Sequence, residues 1–231
     1  MATETAILCT SALSIGVIHT LLGPDHYIPF VAMARSGCWS ARKTLAVTVL
    51  CGLGHVAGSV AVGTAGLALG VMVLRLEALE SWRGDLAAWL LIGFGLCYLA
   101  WGLRQAWGDE PNGHALLHAH RHAPAPTDAG GDDAAHAAEV WTPWMLFLVF
   151  VFGPCEPLIP LLMFPAAKAN APAVAVVVAA FALATVCTMT LMVMTMRYGL
   201  SLVHLPRLTR FSHACAGLTI VVCGLLVKCG L

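Results

Sequence analysis

The chain has 231 residues, 59% of them hydrophobic and only 10% charged, and its mean hydropathy is +0.84. Soluble domains carry about 25% charged residues, so a water-soluble enzyme fold is excluded and an all-α, polytopic membrane protein is expected. Twelve Lys and Arg balance twelve Asp and Glu, which gives no support for nucleic-acid or acidic-substrate binding.

Six apolar segments follow in order, at 5–33, 44–74, 86–107, 143–166, 171–196 and 211–230, each near the ~20 residues a bilayer requires. The chain begins Met-Ala-Thr-Glu, with no basic run, so the first segment reads as a retained span and not a signal peptide. Segments one, two and five exceed the required length, which predicts tilt or breaks. Breaks are expected at Gly23-Pro24 with Pro29, and at Gly153-Pro154 with Pro157 and Pro160. Six tryptophans (82, 89, 101, 107, 141 and 144) fall near span ends, where interfacial anchors belong. Eight basic residues on the odd-numbered loops against four on the other side place those loops in the cytoplasm, with both termini outside. The connection at 108–140 is the one polar stretch, an exposed loop carrying five of the ten histidines. Four of these, His114, His118, His120 and His122, are expected to capture metal.

The two breaks align. Gly23-Pro24-Asp25-His26 matches Gly153-Pro154-Cys155-Glu156, and a proline follows each. Each half then holds three spans, which forces opposite orientations and predicts two inverted three-helix repeats, 1–107 and 141–231, around the 108–140 loop. Within the spans as drawn, Asp25 and Glu156 are the only carboxylates, and no Lys or Arg neutralises them. A carboxylate at the bilayer centre costs about 2.5–3.5 kcal/mol on insertion scales, so each is either protonated or holds a mobile cation. His19, His26 and His55 are the histidines deep in spans, and His19 and His26 share a helix face at seven-residue spacing. Imidazole and carboxylate suit divalent transition metals, and Cys155 adds a softer donor. Met189, Met192 and Met196 form a stripe on segment five, read as adaptable core packing. The nine cysteines form no C-x-x-C pair, which argues against a disulfide scaffold.

His19-Thr-Leu-Leu-Gly-Pro-Asp25-His26, together with Leu53-Gly54-His55, resembles the nickel/cobalt transporters and the urease-accessory-type membrane proteins. Both are grouped with the lysine-exporter and cytochrome-biogenesis transmembrane superfamily. The spacing here is one residue longer than that family's His-x4-Asp-His, and Val56 stands where it has serine. The resemblance implies a secondary transporter of nickel or cobalt in the inner membrane, with His19, Asp25, His26 and His55 as ligands. Cys155 and Glu156 join that set from the repeat. No covalent chemistry and no permanently bound cofactor are expected. The partners expected are the bilayer and the metal ion, with a second copy or a metalloenzyme-assembly protein compatible. Gly-Pro-Cys-Glu-Pro also resembles the Pro-Cys-x-x-Pro of the cytochrome-biogenesis branch. That implies an alternative, a transmembrane thiol–disulfide conduit using Cys155. Its second thiol would have to be Cys51 or Cys187, because Asp25 occupies the matching position.

Overall fold

The computed structural model describes residues 2–68, 73–108, 131–155, 157–167, 171–201 and 210–230. Glu156 and the loop histidines His114, His118, His120 and His122 lie outside the described residues. Among those described, all regular structure is helical. The order is α1 (Ala2–Leu22), a 3₁₀ turn (Pro24–His26), α2 (Ile28–Ser36), α3 (Ala41–Ala68) and α4 (Val73–Gly108), then α5 (Gly131–Phe152), α6 (Leu158–Ala167), α7 (Ala171–Ser201) and α8 (Ser212–Lys228).

Four helical stretches, Thr3–Leu22, Ala41–Gly66, Arg75–Trp107 and Ala171–Ser201, are long and apolar enough to cross a membrane. The protein is a multi-pass membrane protein. The apolar part of α5 (Thr142–Phe152) and α8 are shorter. Many large apolar side chains face outward, Trp82, Trp89, Trp107 and Trp144 among them, as lipid-facing and interfacial residues do.

Segments one and four are each two helices around a break. Pro24 has no N–H to give the carbonyl of Thr20, and its ring crowds that carbonyl, so α1 stops. Its last bond runs from the Gly23 N–H to the His19 carbonyl at 3.0 Å. Pro154 interrupts the second segment by the same chemistry.

One sequence expectation fails here. Span three does not begin at 86. α4 starts at Val73 and carries Arg75, Glu77, Glu80, Arg83 and Asp85 on regular helix. Glu80 is fully buried and Arg83 nearly so, so the apolar segments hold more charge than two lone acids. The run reads as a loop because charge density sets the apparent boundary, while α3, α5 and the second break supply partners that let the helix continue.

The strongest packing crosses between the halves: α4 lies along α8, and α1 along α7. Membrane helices approach closely where small residues face each other. A Cβ added at Gly102 would sit 2.5 Å from the Ala214 nitrogen, and one at Gly217 would sit 2.6 Å from the Leu99 Cα. Gly95 and Gly224 also face backbone of the opposite helix, a Cβ there lying 2.7 Å from the Val221 nitrogen and 3.0 Å from the Ile92 nitrogen. Two apolar clusters fill the interior. The larger joins Phe30, Met33, Cys51, Leu146, Met189 and Ile220; the smaller joins Ala12, Val56, Cys155, Leu158 and Phe181. Met189 is fully enclosed and its sulfur fills the space beside Gly52, which is packing and not ligation.

Candidate metal centre

The first break builds the site. His19 lies in the last turn of α1, and the 3₁₀ turn then carries Asp25 and His26. The turn is closed by the His26 N–H on the Gly23 carbonyl at 3.1 Å and the Tyr27 N–H on the Pro24 carbonyl at 3.3 Å. Gly23 itself is extended (φ −90°, ψ 93°). It is small for a spatial reason: a Cβ there would lie 2.5 Å from His26 Nδ1 and 2.9 Å from Asp25 Oδ1. α3 contributes His55.

The three imidazoles converge. The His19 and His26 ring centroids are 4.8 Å apart at 81°, and those of His26 and His55 are 5.1 Å apart at 85°. One nitrogen from each of the three lies within 4.8 Å of the others. Three ligands at Zn–N lengths of 2.0–2.1 Å in a tetrahedral site stand about 3.3 Å apart, so small side-chain rotations would bring these nitrogens onto one cation.

Two of the remaining ring nitrogens are tied outward. His26 Nδ1 meets Asp25 Oδ1 at 3.1 Å. His55 Nδ1 meets the Phe150 carbonyl at 3.3 Å. A carbonyl only accepts, so His55 carries its proton on Nδ1 and leaves the Nε2 lone pair free. The Nε2 atoms of His19, His26 and His55 are all buried without a hydrogen-bond partner. An unsatisfied buried polar atom is costly, and three together invite a common acceptor of their lone pairs. Metal-binding histidines are held in this way, by a carboxylate or backbone carbonyl on the far nitrogen.

A cavity of about 350 Å³ opens over the cluster. Gly23 from the first break and Gly153, Pro154 and Pro157 from the second both line it, so the two matched motifs face one space. The expected ligands separate within it. His19, His26 and His55 meet. Asp25 lines the cavity but stands behind His26, with its carboxylate on Nδ1. Cys155 is fully buried in the smaller apolar cluster and does not line the cavity. Asp25 has a histidine beside it and no arginine among its described partners.

Two residues escaped the sequence reading. Glu80 accepts the Ser59 hydroxyl and the Cys155 N–H on Oε2, each at 3.2 Å. Arg83 pairs with Glu80 and donates from Nη2 to the Val151 carbonyl at 2.9 Å. The signal was a Glu80-x-x-Arg83 pair at helical i, i+3 spacing.

One family model matches the chain, the cytochrome c biogenesis protein transmembrane region, over residues 28–226. The chain belongs to that family. No curated protein and no solved structure matches it. The match corrects the resemblance to nickel/cobalt transporters and urease-accessory proteins, which is a different family. That resemblance rested on His19, Asp25 and His26, which precede the matched stretch, and on Leu53-Gly54-His55, which lies inside it, as do Cys155 and its Gly-Pro break.

Proposed function

We propose that this member of the cytochrome-biogenesis transmembrane family is a membrane conduit whose cargo is a divalent transition-metal cation, held at His19, His26 and His55. The observation that carries this reading is the set of three buried, partnerless Nε2 atoms on imidazoles that bring one nitrogen each within 4.8 Å of the others beside one cavity. Imidazole suits zinc, copper, iron and nickel alike, so the cargo is named by class. Asp25, 27% exposed, orients His26 and is available to an arriving cation. The meeting of two Gly-Pro breaks at one cavity supports inverted three-helix repeats that expose the site to each side in turn. On this reading the protein sits in the cytoplasmic membrane with both termini outside, catalyses no covalent reaction and keeps no permanent cofactor.

Flux into proteoliposomes loaded with a metal-sensitive dye tests it, with zinc, nickel and cobalt each supplied alone. His26→Ala and His55→Ala are expected to abolish flux of whichever ion the native protein passes. Native rates in both variants would refute the assignment.

Family membership favours a second reading more directly than it favours cation passage: a thiol–disulfide conduit through Cys155. Cys155 lies in a helix break within the matched stretch. Cys9 of α1 packs against the same apolar cluster and is a better second thiol than Cys51, which belongs to the other cluster, or Cys187, which is exposed. In that chemistry a donor dithiol would reduce a Cys9–Cys155 disulfide, and the resulting pair of thiols would reduce an acceptor disulfide on the far side. Loss of acceptor reduction in Cys155→Ser, with metal flux untouched, would establish this reading over the first.

A further inference from the structure

Neither reading uses the ion pair on α4. Glu80 is fully buried and Arg83 is 7% exposed. Burying two charges is unfavourable unless geometry and extra hydrogen bonds complete both, and here the completing partners are specific. Arg83 Nη1 pairs with Glu80 Oε1 and also reaches Ser59 Oγ at 3.4 Å. Arg83 Nη2 donates to the Val151 carbonyl, and Glu80 Oε2 accepts the Cys155 N–H.

Val151 and Cys155 are four residues apart. In an unbroken α-helix this carbonyl would accept from this same N–H. The break at Gly153-Pro154 separates them, and each orphaned group is met by the member of the pair with matching polarity. The guanidinium takes the carbonyl and the carboxylate takes the amide. Gly58 makes room for this, since a Cβ there would lie 2.5 Å from the Val151 oxygen.

The next carbonyl back along the chain belongs to Phe150. Pro154 cannot donate to it, and it accepts instead the Gly153 N–H at 3.1 Å and His55 Nδ1 at 3.3 Å. We propose that Glu80 and Arg83 are positioning residues that hold the second break open by replacing its missing helical hydrogen bond, and thereby keep the Phe150 carbonyl on His55. The hold on the break is independent of function; its effect on His55 rests on the metal reading above.

The test uses the full chain in detergent micelles, with Co²⁺ as the probe. Cys155 alkylation by a small maleimide, with the other cysteines replaced, reports the break. The visible Co²⁺ spectrum and Kd report the histidines. Glu80→Gln is expected to speed alkylation at least about tenfold, shift the Co²⁺ bands and weaken binding about 10–100-fold, as loss of an orienting partner does. The swapped double variant Glu80→Arg/Arg83→Glu keeps an ion pair but offers each backbone group the wrong polarity, so it should rescue neither readout. Full rescue by the swap, or a native alkylation rate in Glu80→Gln, would overturn the proposal. Ser59→Ala keeps both charges and should move both readouts the same way by less, which serves if Glu80 variants fail to accumulate. If the native protein gives no histidine-type Co²⁺ spectrum, the metal reading and the His55 half fall, and alkylation alone then decides whether the pair holds the break.

Discussion

Replacing Gly23 by alanine isolates the site from the fold. The backbone there, at φ −90°, accepts any L residue, so no strain arises from the main chain. The new Cβ instead meets side chains, His26 Nδ1 at 2.5 Å and Asp25 Oδ1 at 2.9 Å. To regain ordinary contact near 3.4 Å, the His26 ring must retreat by about 0.9 Å. That displacement breaks the 3.1 Å bond to Asp25 and moves His26 Nε2 away from the other two imidazoles. The expected outcome is a protein that inserts and unfolds like the native one but binds Zn²⁺ or Co²⁺ about 10–100-fold more weakly, the loss typical of a missing orienting partner. Calorimetric titration in micelles, paired with a thermal melt, measures both. A native Kd in Gly23→Ala would refute the claim that the Asp25–His26 pair poises the centre. A collapsed melt would refute the claim that the cost is confined to side chains.

Four other outcomes follow from the same geometry. Asp25→Asn, which keeps the shape but not the charge behind His26, should weaken Zn²⁺ binding about tenfold, whereas His55→Ala, which removes a ligand, should weaken it further; equal effects would contradict the separation of ligand from orienting group. Gly217→Ala drives a Cβ against Leu99 backbone and should lower stability by about 1–3 kcal/mol, read as the midpoint of SDS-induced unfolding. Gly93→Ala and Gly199→Ala, helical positions with nothing within 4 Å, should lose no stability and gain up to about 1 kcal/mol in the same assay. Lys228→Met removes an exposed 2.5 Å pair with Asp85 and should change stability by no more than about 1 kcal/mol; a larger loss would mean that the pair fastens α8 to α4.

The histidine centre was legible because its parts are local. His19 and His26 are close in sequence around a Gly-Pro break, and a buried histidine has few acceptable surroundings. The tie from His55 to the Phe150 carbonyl was not legible, because it joins residues 95 positions apart through a carbonyl that any residue would offer. Asp25 is conspicuous in the sequence as a carboxylate inside a span with no basic neighbour; that its oxygen meets His26 Nδ1 is decided by the turn of the chain. Glu80 and Arg83 were missed for a different reason. Hydropathy treats a charged run as the end of a span, yet two charges that satisfy each other and a broken backbone can continue the helix among packed neighbours. Cys155 shows the converse. Its motif is conspicuous, but its side chain turns into the smaller apolar cluster and away from the cavity.

The contact between α4 and α8 bears on how such a molecule could move. Where main chains touch through Gly95, Gly102, Gly217 and Gly224, there is no cushion of side chains to shear, so the two helices travel as a single plank. Since one comes from each repeat, exposure of the histidines to either side falls to the remaining helices of both, bending at the Gly-Pro breaks whose Gly23 and Gly153 line the cavity.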